Sequence, residues 1–331
     1  MTPKTLLAHL VASLPHKAKT LIVGMPGVGK SDIVEKAARA VNADLVLMHP
    51  AVSDPTEYKG MPAITHGGTE AHFLPFGDLN ALIKADRLTA CFLDDIGQAP
   101  HSVQAALMQL ILARRVNGHR ISDHVVFVGA TNDSSHRAGV NTILEPVKSR
   151  WDAIVTLEAN LKDWVDWALT EGNMPPELVG FIQFRPELLC DFKPTRELTN
   201  SPSPRTVAAV GRWVNMGITD FEVLGGAAGN GFAAEFLGFL KVYRSLPDLD
   251  GILRDPKTAH VPKDMDALWA VTAGLAHKAG KATAKAIMVY ADRLPKEFGF
   301  TLIMNSQRKH AELATTPEFT TWAAANHHLF V

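Results

Sequence analysis

The eight residues GMPGVGKS at 24 to 31 satisfy the pattern G-x-x-x-x-G-K-[ST] in full, the signature of a loop that wraps phosphate. Gly24, Gly27 and Gly29 let the backbone curl until its amides face phosphate oxygens, and a helix starting there adds the positive end of its dipole. Lys30 is then expected at the β- and γ-phosphates, with the Ser31 hydroxyl in the shell of a Mg2+ ion. The expected nucleotide contacts are Gly24, Met25, Pro26, Gly27, Val28, Gly29, Lys30 and Ser31, with Asp32 next in line. An ordinary glycine-rich turn is the competing reading. The flanks argue against it, because LIVG at 21 to 24 reads as a strand and SDIVEKAARAV at 31 to 41 puts Ile33, Val34, Ala37, Ala38 and Val41 on one helical face.

Two more signals can be read as chemistry beside that loop. ACFLDD at 90 to 95 is an apolar strand that delivers Asp94 to its C-terminal tip, 64 residues beyond Lys30, where a carboxylate can hold the metal. Asp95 is then positioned to polarise an attacking water; an acidic turn before Gly97 and Pro100 is the plainer alternative. VVFVGATN ends in Asn132, whose amide can orient the lytic water or sense the γ-phosphate, though Ala-Thr-Asn alone reads as a simple strand exit. No Asn-Lys-x-Asp guanine-recognition segment occurs, so ATP is the expected nucleotide.

The elements that must position these groups follow from the apolar pattern. LIVG, DLVLMH at 44 to 49, ACFLDD, HVVFVGATND at 124 to 133 and AIVTLEA at 153 to 159 are near-continuous apolar runs separated by helical segments. Such runs indicate a parallel sheet covered on both faces. One of the helices is HSVQAALMQLILARR at 101 to 115. After about residue 160 the pattern turns helical, at 161 to 172, 176 to 184, 204 to 217, 235 to 246, 266 to 279 and 283 to 294. The expected fold class is an α/β P-loop core followed by an all-helical lid and a C-terminal helical region. The expected domains are 1–160, which binds nucleotide, and 161–331, which is helical. GGAAGNGFAAEF at 225 to 236 follows no strand and lacks a Lys-Ser pair, so it reads as close helix packing or a joint.

The 331 residues correspond to two domains at roughly 150 residues each. Lys plus Arg is 33 and Asp plus Glu is 34, a net charge of −1, which disfavours a globally basic nucleic-acid binder. Two distant cysteines, Cys91 and Cys190, exclude a disulfide-stapled fold, and the fourteen histidines form no zinc pattern. His327 and His328 read as a solvated tail. No apolar stretch reaches the ~20 residues of a membrane span, and a soluble cytoplasmic protein is expected.

The set GMPGVGKS, CFLDD, VGATN, VKSRW at 147 to 151 and SPSPRT at 201 to 206 resembles the AAA+ ATPases, most closely their MoxR-like and dynein-related branch, over about residues 15 to 215. The resemblance implies Gly24 to Ser31 as Walker A, Asp94 and Asp95 as Walker B, and Asn132 as sensor 1. It further implies Arg150 as an arginine finger for the neighbouring subunit's ATP, and Arg205 as sensor 2 on a helical lid. A fixed, permanently protonated fork suits charge developing on the γ-phosphoryl oxygens. At the start of a predicted helix, Arg205 gains nothing from the dipole, so a ligand phosphate accounts for its placement better than the helix does. Arg137 is a second interface candidate. The family pattern ends Walker B with Asp-Glu, whereas this chain has Asp94-Asp95. The shorter carboxylate predicts slow hydrolysis.

By the same resemblance the chain is an ATPase acting as a homo-oligomer, a hexameric ring, on a protein partner, often one bearing a von Willebrand factor A domain. A nucleic-acid motor or loader and a nucleotide-gated scaffold are the alternatives. Tyr58, Lys59 and Met61, in the long connection at 58 to 78, are candidates for gripping a substrate, or else pack on the sheet edge. Asn117-Gly118 predicts a hairpin turn with His119 and Arg120 at its tip, free to touch a protein or a phosphate. Trp164, Trp167 and Trp213 read as lid core or rim.

Overall fold

The computed structural model describes residues 1–133, 143–193 and 198–326. The chain divides into two compact units, Met1–Asn160 and Leu161–Val331. In the first, α1 (Pro3–Ser13) precedes β1 (Thr20–Gly24) and α2 (Lys30–Ala40), and β2 (Asp44–Met48) and α3 (Pro55–Lys59) lead into a hairpin of β3 (Met61–Thr65) and β4 (Glu70–Leu74). Then come α4 (Gly77–Lys84), β5 (Thr89–Leu93), α5 (His101–Met108), a small hairpin of β6 (Arg115–Val116) and β7 (His119–Arg120), β8 (Val125–Thr131), α6 (Glu145–Lys148) and β9 (Ala153–Leu157). Five strands pair in parallel in the order β2-β5-β8-β1-β9. Inner strands β5 and β8 are buried at every residue, which is why their sequences run apolar instead of alternating.

The helix expected over 101 to 115 ends early. α5 stops at Met108, a π-helical turn spans Gln109–Ala113, and Arg114 turns left-handed at φ 49°. The cause is the Arg114 side chain, which donates to the carbonyls of Ser122 and Val125 and lies 5.8 Å from the Phe127 ring centroid. A continued helix would carry it away from all three.

The long connection contains a folded hairpin. Tyr58 is fully buried against the sheet core and so is no gripping residue, whereas Met61 is exposed. Asn117-Gly118 makes the expected turn, both residues having positive φ. His119 is not free at its tip: its imidazole donates to the Phe73 carbonyl at 2.7 Å, and the Asn117 amide donates to Lys59 O at 2.8 Å, fastening the small hairpin to the larger one. Arg120 pairs with Asp123, and those hydrogen bonds hold the Asp123 carboxyl below its usual range.

The described elements of the second unit are all helical: α7 (Leu161–Thr170), α8 (Pro176–Phe184), α9 (Pro204–Asn215), α10 (Phe221–Ala228), α11 (Asn230–Arg244), α12 (Leu249–Arg254), α13 (Met265–His277), α14 (Ala284–Ala291), α15 (Lys296–Lys309) and α16 (Pro317–Ala325). The glycine-rich stretch is the corner where α10 and α11 meet at Gly229, so α11 starts five residues before the expected 235. α15 escapes the periodicity reading because Asn305 and Ser306 sit on its buried face. Trp164 joins the core of α7 to α11, Trp167 packs against it half-buried, and Trp213 is exposed. Phe181 centres that core, its ring edge-on to Phe232 and Phe236 with centroids at 5.4 and 5.3 Å.

Phe181→Ala should therefore destabilise the second unit by about 3–5 kcal/mol, the range for a buried phenylalanine. Chemical denaturation followed by tryptophan fluorescence tests this; a shift below about 1 kcal/mol would mean the aromatic cluster does not hold the core together.

Candidate nucleotide site

β1 ends at Gly24, and the chain loops to Gly29 before α2 opens at Lys30. Three glycines are required by geometry, among them Gly27 at φ 78°. A Cβ on Gly24 would stand 2.8 Å from Leu157 O of the neighbouring strand, and Gly29, at φ 100°, is the left-handed N-cap of α2. Lys30 is only 7% exposed. An ammonium so placed needs an acceptor for each proton, and three are present: Gly24 O at 2.8 Å, Met25 O at 3.1 Å and Asn132 Oδ1 at 2.8 Å.

The other groups close on this one. The Ser31 hydroxyl donates to Asp94 Oδ2 at 2.7 Å, while Asp94 Oδ1 accepts from the Asp95 amide at 3.0 Å. Asn132 Nδ2 donates to Asp95 Oδ1 at 3.3 Å. Lys30, Asn132, Asp95, Asp94 and Ser31 thus form one circuit across the C-terminal tips of β1, β5 and β8, the end of a parallel sheet where ligands bind. Asp95 is left-handed at φ 54°, a conformation that aspartate tolerates better than most residues. Asp32 lies exposed in the first turn of α2.

Arg150 is not part of the circuit. It follows α6, and its guanidinium donates to Met108 O at 3.1 Å and to Pro146 O. Arg205 lies exposed in the first turn of α9, in the second unit. That turn is fixed by a capping box in which the Thr206 amide donates to Ser203 Oγ at 3.3 Å and the Ser203 amide donates to Thr206 Oγ1 at 2.7 Å. Arg137, His327 and His328 lie outside the described residues.

Sequence reasoning passed over one residue here. Gln104 is fully buried on α5; its Nε2 donates to Ala99 O at 3.1 Å and its Oε1 accepts from the Leu144 amide at 3.1 Å. A glutamine beside Val103, Ala106 and Leu107 on an otherwise apolar face was the available signal.

The family model of the AAA domain, dynein-related subfamily, matches residues 19–151. This segment is an AAA+ domain. The match covers residues 24–31, Asp94, Asp95 and β8, and extends through Arg150. Among solved structures, the chain is similar to a RuvB variant from Thermotoga maritima, at 16% identity and TM-score 0.46 over 82% of this chain and 80% of that one. The RuvB Holliday junction branch migration motor from the same organism gives 15% identity and TM-score 0.44 over the same shares. NtrX from Brucella abortus in complex with ADP gives 14% and 0.44, over 99% of this chain and 67% of that one. Likeness at these scores carries no inference about substrate or partner. Comparison with curated proteins gives no match.

Lys30→Ala removes the only cation in the circuit. Its affinity for a fluorescent ATP analogue should fall at least tenfold, about 1.4 kcal/mol. Asp94→Asn should leave binding measurable and abolish its Mg2+ dependence. Wild-type titrations in both variants would refute the placement of the nucleotide.

Proposed function

We propose that the protein is an ATP-driven, ring-forming AAA+ ATPase that remodels or activates a protein partner in the manner of the MoxR-like branch. The carrying observation is the circuit Lys30–Asn132–Asp95 with Ser31–Asp94. It gathers a cation for phosphate oxygens, two oxygen donors for a metal, a carboxylate and an amide.

Each side chain has a role in this reading. Lys30 trades its carbonyl partners for the β- and γ-phosphates, to which an ammonium binds more strongly. The Ser31 hydroxyl and Asp94 carboxylate, 2.7 Å apart, are the hard oxygen donors that Mg2+ prefers. When bound, Mg2+ neutralises charge on the phosphates. Asp95 accepts the proton of the attacking water, and Asn132, already bonded to both Asp95 and Lys30, holds that water in line. Arg150 serves a neighbour's γ-phosphate, so activity requires an oligomer, a hexamer by family likeness. Arg205 is assigned as sensor 2 on its Ser-Pro-Arg context alone.

The surface of the β3–β4 hairpin favours a protein over a nucleic acid. Met61, Ile64, Phe73 and Leu74 are exposed there, Ile64 at 75%, and the charged residues of β4 are Glu70 and His72, paired with each other. A phosphate backbone calls for Lys and Arg instead. A von Willebrand factor A partner rests on family likeness only. No helix among the described residues is long and apolar enough to cross a membrane.

Asp95 keeps a second reading open, a nucleotide-gated scaffold with very slow turnover. Steady-state ATPase assays separate the two. Asp95→Asn should bind ATP normally, because asparagine also tolerates the left-handed backbone, and should lose turnover at least ~100-fold, about 2.7 kcal/mol of barrier. Asp95→Glu should turn over faster than wild type while costing about 1 kcal/mol of stability at φ 54°. Full activity in Asp95→Asn would exclude the carboxylate as the base; no turnover in wild type, gained in Asp95→Glu, would establish the scaffold.

The trans role of Arg150 is tested by mixing. Lys30→Ala subunits bind no ATP but carry the finger, and Arg150→Ala subunits bind ATP but lack it. Once native mass spectrometry shows subunit exchange, mixed rings should exceed both parents in ATPase rate. Activity at the parental level would show that Arg150 does not act in trans.

A further inference from the structure

Helix α5 holds the segment leading to Arg150 at two points one turn apart. At the first, Oε1 of Gln104 accepts the Leu144 amide at 3.1 Å, the residue that caps α6. At the second, the Met108 carbonyl accepts Arg150 Nε at 3.1 Å. Positions 104 and 108 are i and i+4, so both points lie on the same face of the helix. Val147 and Trp151, from the clamped segment, are buried in one core with Val103 and Leu107.

The other end of the Gln104 amide points back toward the catalytic acids. Nε2 donates to Ala99 O at 3.1 Å, four residues beyond Asp95 and just after the turn over Ile96–Gln98. One fully buried side chain therefore spans two backbone segments, one carrying Asp94 and Asp95, the other carrying Arg150. A buried amide with both ends bonded has a defined geometry, since moving either segment leaves a polar group unpaired.

We propose that Gln104 is a positioning residue that sets the arginine finger according to the state of the chain's own Walker B turn, so that the nucleotide site of one subunit governs the hydrolysis of its neighbour. The proposal rests on the reading of Arg150 as a trans finger. Gln104 touches no nucleotide; it acts through Leu144 and α6 on one side and through Ala99 on the other. The Met108 carbonyl is the second contact of the same device: it lies where α5 gives way to the π-helical turn Gln109–Ala113, a local irregularity of the kind often found at functional sites.

The test uses the full chain and two variants that break the same link from opposite ends. Gln104→Met keeps volume and removes both hydrogen bonds. Leu144→Pro removes only the donor, at a residue whose φ of −58° already suits proline. Each should bind the fluorescent ATP analogue within twofold of wild type, lose at least tenfold in kcat, and lose cooperativity in ATP. Each should also regain activity when mixed with Lys30→Ala subunits, whose Gln104 and Arg150 are intact. A role confined to stability or to the chain's own site would lower activity without that rescue.

The Arg150→Ala and Lys30→Ala mixture is run beside them. Rescue there but not with Gln104→Met or Leu144→Pro overturns the positioning role and leaves the finger standing. No rescue in any mixture, with exchange confirmed, overturns both. If Gln104→Met fails to fold, Leu144→Pro decides alone.

Discussion

Burial of the Lys30 ammonium constrains everything around it. A cation that is 7% exposed must find acceptors that water would otherwise supply. Two of the three come from its own loop, which has to curl back through Gly24 and Met25, and the third is Asn132 at the tip of β8. That last bond makes sense only if β8 lies beside β1, as the register Leu21 to Gly129 and Ile22 to Ala130 shows. Asn132 then reaches Asp95 because β5 is the next strand over. The order β5-β8-β1 and the placement of the polar groups are thus one fact.

The legible part of the site was local. The phosphate loop carries its own turn, strand and helix within twenty residues, so spacing alone identifies it, and an apolar strand ending in acids announces Asp94 and Asp95 for the same reason. Those readings needed only chain continuity. Arg150 was placed by resemblance, but nothing near it in sequence shows that Met108, 42 residues earlier, receives its guanidinium. The same distance in sequence hid the partners of Gln104 and the fastening of His119 to Phe73. Arg114 shows the converse: its helix propensity favoured a long α5, and three tertiary contacts outweighed it.

The second unit was readable where its helices are simply amphipathic and obscure where they are not. α9 alternates faces cleanly and begins with Ser203-Pro204, so both its start and its buried side follow from the residues. α15 buries Asn305, whose amide donates to Gln183 at 2.9 Å, and presents Arg308 to Asp166 at 2.6 Å. These polar contacts between α15 and α8 or α7 look like surface positions in a one-dimensional pattern. They become interpretable only as pairs.

The departure at Asp95 can be understood from the backbone. The turn after β5 runs through Asp95 at φ 54° into a short helix whose Gln98 amide donates to Asp95 O at 2.9 Å and whose Ile96 is fully buried. That conformation penalises most side chains and spares aspartate and asparagine. Asparagine would keep the turn but leave no carboxylate for the water; glutamate would reach further but strain the turn. Under the proposed reading of Asp95 as the base, aspartate satisfies the backbone and still offers a carboxylate, one methylene shorter than glutamate. The same turn leads directly to Ala99, whose carbonyl accepts the Gln104 amide, so strain introduced at Asp95 reaches that hydrogen bond. On the proposed reading of Asp95 as the base and Arg150 as the finger, the two are linked through the four-residue step from Asp95 to Ala99 and then the Gln104 amide, so a glutamate gains its extra reach to the extent that the turn absorbs the strain before Ala99.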